Sequence, residues 1–161
     1  MTNRRFLCDE MLAGLARWLR AAGYDAATGA AGQNDRALVE RAVAEDRLLL
    51  TRDHALPRIK GAFDHTLVLD GTDLDDWAAE LRGRLRLDWR AAPMTRCLVC
   101  NVELTDADGA ARAHIPDGAR AGPGPFRACP ACGRAYWPGG HVQRMLKRLA
   151  RFAGHPEAEE P

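Results

Sequence analysis

Arg47-Leu48-Leu49-Leu50-Thr51-Arg52-Asp53 decides the fold. Its leucines stand at consecutive rather than alternate positions, which suits a strand covered on both faces, as in the middle of a parallel sheet between two layers of helix. Asp53 stands where that strand surfaces, and ligands bind at the carboxyl edge of open parallel sheets. Working back, a helix is expected from Asn34 or Asp35 to Glu45, with Ala37, Leu38, Val39, Ala42 and Val43 as its apolar residues. Before it lie a strand at residues 4–8 ending at Asp9, an amphipathic helix at 11–22, a weaker strand at 24–27 and a loop at 28–33. Strand, helix, strand in this order calls for parallel pairing with right-handed crossovers.

Working forward, residues 54–60 read as a short helical turn interrupted by Pro57, and residues 65–69 as another apolar strand ending at Asp70. A helix at 73–87 turns Leu74, Trp77, Ala78, Leu81 and Leu85 inward. The fold class is α/β, a three-layer α/β/α arrangement with a mostly parallel sheet. The pattern stops near Pro93, and the remaining four cysteines and most of the prolines follow it. The expected organisation is a first module at 1–92, a second at 96–153 and a disordered acidic tail at 154–161.

The 161 residues are 47% apolar and 28% charged, which are globular values. A net charge of +1 gives no global pull toward nucleic acid, so any such affinity must come from a local patch. No stretch reaches the roughly 20 apolar residues that span a bilayer. The apolar run near the N-terminus is broken by Asp9 too early for a signal peptide. The chain is therefore expected to be cytoplasmic and not membrane-bound, and its cysteine usage suits a reducing compartment.

Asp9, Asp53 and Asp70 each follow an apolar strand, and Asp35 opens a helix that enters from the same edge. Carboxylates gathered at one place repel unless a divalent cation lies between them. Mg²⁺ or Mn²⁺ held by two or three carboxylates, with water in the open positions, is a common apparatus for phosphodiester hydrolysis. The competing reading is that each aspartate caps a helix or forms a turn. Asp70 is the weakest candidate, because Asp70-Gly71-Thr72-Asp73 also reads as a turn leading into a capped helix. Arg52 either steers a phosphate, holds Asp53 by a bidentate contact, or is a solvated strand-end arginine. Thr51 is either a β-former or a support for the site.

Cys97-Leu98-Val99-Cys100 and Cys129-Pro130-Ala131-Cys132 form two pairs 28 residues apart. Two such pairs complete a closed tetrahedral shell for a structural Zn²⁺, which stabilises a module too small to build a core of its own. Two disulfides are the competing reading, against which stand the lone Cys8 and the missing secretion signal. Tyr136, Trp137 and His141 follow the second pair and either meet RNA by stacking and phosphate contact or fill the ribbon core. A last helix at 141–152 has Val142, Met145, Leu146 and Leu149 on one face and Arg144, Lys147, Arg148 and Arg151 on the other. That basic face is either a solvated surface or a nucleic-acid rail.

Taken together, Asp9-Glu10-Met11-Leu12 with Leu15-Ala16-Arg17-Trp18-Leu19-Arg20, Gly23-Tyr24-Asp25, Asp35, and Leu48 through Asp53 resemble one known family. Cys97 to Asn101, Cys129 to Cys132, Tyr136-Trp137 and Gly140-His141 extend the match over nearly the whole chain. The chain resembles the Mut-seven C-terminal domain, a PIN-like ribonuclease followed by a zinc ribbon. The resemblance implies a PIN-type fold in which Asp9, Asp35 and Asp53 bind Mg²⁺ or Mn²⁺ to cleave RNA, with Arg52 beside them. Arg17 and Arg20 join Trp137, His141, Arg144, Lys147, Arg148 and Arg151 as candidate RNA contacts, and a ribosome or other RNA–protein complex is a candidate partner. Gly14 departs from the pattern, standing where the family has lysine or arginine. The alternative expectation is a non-catalytic RNA- or ribosome-binding protein with a degenerate PIN-like domain.

Overall fold

Four short apolar runs become four parallel strands in a computed structural model that describes residues 3–155. They are β1 (Arg5–Cys8), β2 (Asp25–Thr28), β3 (Leu48–Thr51) and β4 (Thr66–Val68), in the spatial order β2-β1-β3-β4. Cys8 lies opposite Thr28 on one side and Leu50 on the other, which fixes the register at the carboxyl edge. The helices between them are α1 (Ala13–Ala21), α2 (Asp35–Ala44) and, after β4, α3 (Leu74–Leu85). The consecutive leucines of β3 are explained by the two faces. Leu49 packs with Leu7, Leu38, Val39 and Ala42 under α2, whereas Leu50 packs with Phe6, Cys8, Leu15 and Leu19 under α1.

The helix expected at 11–22 is divided. Asp9 accepts the N–H of Glu10 and starts a 3-10 turn, Glu10–Leu12, before the α-helix begins at Ala13. Arg47, expected within the strand, stands just ahead of it. Its buried guanidinium donates to the Phe6 carbonyl at 3.0 Å and the Asp25 carboxylate at 2.7 Å.

The second module is an antiparallel sheet of β5 (Thr105–Asp106), β6 (Arg127–Ala128) and β7 (Ala135–Tyr136). The segment between β5 and β6 carries two single-turn helices, α4 (Gly109–Arg112) and α5 (Asp117–Arg120). The last helix, α6 (Gly140–Phe152), returns to the first module, where the Phe152 ring meets Trp18 edge-on at 5.4 Å and Trp89 at 5.1 Å. Cys97, Leu98, Tyr136, Met145 and Leu149 consequently belong to the same buried cluster as Phe6, Leu15 and Trp89.

The chain leading into the expected boundary packs against the end of α1. The N–H groups of Ala92 and Met94 donate to the carbonyls of Ala22 and Ala21. A side chain at Gly23, whose φ is +100°, would meet the Ala92 carbonyl oxygen at 2.4 Å, so this close approach requires glycine. Gly154 and His155, expected to open the tail, close α6 through bonds to the Arg151 and Ala150 carbonyls. Residues 156–161 of that expected tail lie outside the described residues.

Candidate functional site

The strand order places a topological switch between β1 and β3. One connection leaves β1 for β2, and the next crosses back over β1 to β3. In sheets of this kind ligands bind at that crevice, outside the carboxyl ends of the strands. Asp9 and Asp53 flank it. The buried Thr51 hydroxyl donates to Asp9 Oδ2 at 2.9 Å and accepts from the Asp53 N–H at 3.1 Å, coupling the two acids through one side chain. The Asp9 N–H in turn donates to the Leu50 carbonyl, carrying the β1–β3 ladder one residue past the strand.

Both aspartates also serve the backbone. Asp9 Oδ1 accepts from the Glu10 N–H at 2.7 Å, and Asp53 Oδ1 from the Ala55 N–H at 2.8 Å. Capping engages only Oδ1 of Asp53, since no hydrogen bond among the described residues reaches Asp53 Oδ2. Asp35 is exposed at the first position of α2, and the cap is Asn34, whose side chain accepts from the Ala37 N–H. No hydrogen bond among the described residues joins Asp35 to Asp9 or Asp53. Asp70 pairs instead with His54 at 3.5 Å, both largely exposed.

Among the described residues, the group of three or more His, Cys, Asp or Glu side chains with all ligand atoms within 4.8 Å of one another is the cysteine set. Asp9, Asp35 and Asp53 are thus spaced more widely than a closed cage. Mg²⁺ takes one or two carboxylates directly and keeps several waters, so as placed no more than two of these acids could contact one ion directly.

Arg52 does not clamp Asp53. Its guanidinium lies 5.9 Å from the centre of the Trp77 ring, and its buried Nε has no hydrogen-bond partner among the described residues.

Cys97, Cys100, Cys129 and Cys132 form a cluster positioned to hold a metal ion. The Cys97 and Cys132 sulfurs are 3.9 Å apart, matching the ~3.8 Å that tetrahedral geometry gives for a Zn–S bond of about 2.3 Å. Each knuckle closes alike: the N–H groups of Asn101 and Gly133 donate to the carbonyls of Cys97 and Cys129, and both residues are left-handed, at φ 63° and 75°. Burial raises the pKa of the Cys97 thiol, but the Tyr136 hydroxyl and the N–H groups of Cys100 and Val99 outweigh it and bring the thiol down to about 6. Thiolate is the form that binds metal. The Tyr136 hydroxyl, 3.3 Å from Cys97 Sγ, also accepts from the Leu98 N–H. Tyr136 thus serves the ribbon core and the ligand shell.

The expected RNA contacts divide by environment. Arg20 is a correction: it is buried, and its guanidinium donates to the carbonyls of Ala26, Leu98 and Val99 at 2.8, 3.0 and 3.2 Å. It fastens the first cysteine knuckle to the sheet and is only 9% exposed; that burial pulls its pKa below the usual arginine value. Arg148 lies over the Phe152 ring and pairs with Asp75 at 2.8 Å. Arg17, His141, Arg144, Lys147 and Arg151 are exposed, and Trp137 is half-buried.

Arg17, Trp137 and His141 line a groove of about 590 Å³ between the ribbon, α1 and the start of α6. His114 and Arg134 line it too. Sequence reading missed both: Arg134 was signalled by its place two residues after Cys132, whereas His114 reaches the groove only through the fold of the segment between the cysteine pairs.

This combination of a parallel α/β module and an appended four-cysteine ribbon agrees with the family comparison, in which residues 4–149 match the Mut7-C RNAse domain. The chain belongs to the Mut7-C RNAse domain family. No curated protein and no solved structure matches it. Membership in the Mut7-C family points to a ribonuclease-type function and to RNA as its class of substrate. Among the described residues, no helix of this Mut7-C protein is long and apolar enough to cross a membrane.

Proposed function

We propose that the protein is a cytoplasmic ribonuclease that hydrolyses RNA phosphodiester bonds at a Mg²⁺- or Mn²⁺-bound carboxylate site. The observation that carries this reading is the Asp9–Thr51–Asp53 arrangement at the β1/β3 crevice. Asp9 and Asp53 would hold the ion, with Asp35 completing the set from the start of α2. The ion supplies charge neutralisation at the phosphate and a more acidic bound water. Thr51 fixes the orientation of the Asp9 carboxylate, and Asp53 presents Oδ2, which no hydrogen bond reaches among the described residues. Arg52, packed against Trp77, adds positive charge near the acids. The four cysteines hold a structural Zn²⁺, and Arg17, Trp137, His141 and the exposed basic side chains of α6 bind RNA.

Cleavage of a labelled single-stranded RNA in Mn²⁺ tests this reading. Asp9→Asn and Asp53→Asn should each lower the rate by on the order of 100-fold or more while leaving the melting temperature nearly unchanged. If both variants cut as well as the parent, the site is elsewhere. The wide spacing of the carboxylates favours a second reading, a non-catalytic RNA- or ribosome-binding zinc-ribbon protein. Salt-sensitive RNA binding with no cleavage in Mn²⁺ by the parent would establish it.

A further inference from the structure

We propose that the groove beside the ribbon holds one unpaired nucleotide of a single-stranded RNA, and that the bare stripe of α1 leads the strand from there to Asp9. The proposal rests on RNA as the ligand and assigns its point of anchorage. Five segments build the groove: α1 gives Arg17, the first cysteine knuckle Val99, the segment between the knuckles His114, the second hairpin Arg134 and Trp137, and α6 His141. No aspartate or glutamate lines it.

Arg17, His114, Arg134 and His141 are exposed, and their side chains make no hydrogen bond or ion pair among the described residues. A positively charged cleft with an aromatic wall is the combination that single-stranded nucleic acid requires, because the phosphate needs cations and an unstacked base needs a π-surface. A volume of about 590 Å³ is that of a small-ligand site, large enough for one nucleotide unit.

Trp137 is held in place by the backbone. A side chain at Gly139, whose φ of −122° any residue can adopt, would lie 2.9 Å from the indole Nε1 and 3.3 Å from Cδ1. Glycine there lets the ring settle against the turn into α6. From the groove, Arg17, Gly14 and Met11 are exposed at intervals of three along one side of α1 and its leading turn. A side chain at position 14 would meet nothing within 4 Å. At about 2.0 Å of rise per residue in the 3-10 turn and about 1.5 Å in α1, Arg17 is ~13 Å from Asp9 along this segment. A strand anchored in the groove would therefore place a phosphate a few nucleotides away at the acids.

Fluorescence anisotropy of a labelled eight-nucleotide oligouridine, with zinc-loaded protein and no Mg²⁺ or Mn²⁺, tests the anchor. Trp137→Ala should weaken binding about tenfold or more, the usual effect of losing one stacked base. Gly139→Ala, which displaces the indole without removing it, should weaken binding several-fold. Arg134→Glu should weaken it and flatten the salt dependence. A blunt duplex of equal length should bind less well than the single strand. Zinc content and melting temperature identify any variant that fails to fold, and Gly139→Ala and Arg134→Glu keep the test open if Trp137→Ala is one. Unchanged binding by folded Gly139→Ala and Trp137→Ala, or equal affinity for duplex, overturns the anchor. Groove-dependent binding without cleavage by the parent in Mn²⁺ leaves the anchor standing and removes the nuclease reading alone. Cleavage that persists while the groove variants bind normally removes the anchor alone.

Discussion

Thr51 is the residue on which the acid edge turns. It is buried with a polar oxygen, and that oxygen is saturated by one donor and one acceptor from the two candidate metal-binding residues. The sequence left it open whether Thr51 was a β-former or a support, because a strand-end threonine satisfies either pattern; only the register of Cys8 against Leu50 brings its hydroxyl to Asp9. Thr51→Val keeps the shape and β-propensity but leaves the Asp53 N–H unpaired and Asp9 Oδ2 without its donor. It should cost about 1–2 kcal/mol of stability, measured by denaturant unfolding. RNA cleavage should fall roughly tenfold as Asp9 loses its fixed orientation. Thr51→Ser should restore most of the rate, and an unaffected rate in Thr51→Val would mean that the hydroxyl has no part in positioning.

At the scale of the element, α1 shows where periodicity is informative and where it misleads. Leu15, Ala16 and Leu19 are buried, as helical spacing requires, but Arg20, on the polar side by the same pattern, is buried as well. A helical wheel distinguishes apolar from polar residues; it does not record that a cysteine knuckle far along the chain covers one part of the polar side and offers carbonyls to a guanidinium. Gly14 lies on the part left open. Gly14→Lys replaces a poor helix former at an unobstructed position and should add about 0.5–1 kcal/mol of stability. If the basic residue of the family at this place meets substrate phosphate, the same substitution should also increase cleavage several-fold. A stabilised variant with unchanged kcat/KM would confine the glycine to a structural role.

The start of β2 is the second element whose role the sequence did not disclose. Asp25 accepts from Arg47 at 2.7 Å and from Asn101 at 2.6 Å, and the Asn101 side-chain oxygen accepts from the Ala26 N–H at 2.9 Å. Burial would raise the Asp25 pKa, but these hydrogen bonds outweigh it and hold the carboxyl below its usual value. A depressed carboxyl contributes stability that is fully present above its unfolded pKa, about 3.9, and is lost as pH falls through the lower folded value. Asp25→Asn should therefore cost roughly 1–2 kcal/mol at neutral pH, since the buried Arg47 loses one of its two carboxylate partners and keeps the other, Glu45. It should also flatten the decline in stability below about pH 4. Denaturation curves of parent and variant from pH 2 to 7 would check both effects, and parallel curves would exclude Asp25 as a source of the acid sensitivity.

For the whole molecule, the consequence is that the cysteine cluster and the fold are not separable. The parallel sheet and the cysteine cluster were legible in the sequence, because consecutive apolar runs and paired cysteines are specific. Their union was not, because it depends on contacts between residues about 80 apart: Arg20 with Leu98 and Val99, and Asp25 with Asn101. All of these reach the first cysteine knuckle, so the backbone that carries Cys97 and Cys100 is the backbone that grips the sheet. The buried cluster continues from Phe6 through Cys97 and Tyr136 to Leu149 and Phe152 without a break. Structural Zn²⁺ sites contribute apparent free energies on the order of 10 kcal/mol, comparable to the full stability of a domain of this size. Chelation at neutral pH should therefore do more than unravel the ribbon. Calorimetry should show one unfolding transition in the zinc-loaded protein and a fall of more than about 10 °C after chelation, with loss of the near-ultraviolet signal of Trp18 and Trp89, which lie against Phe152. Two independent modules would give a different result, a high-melting transition of the first that chelation does not move. That outcome would show that the bonds from Arg20 and Asp25 to the knuckle carry little coupling, whatever the ribbon does for RNA.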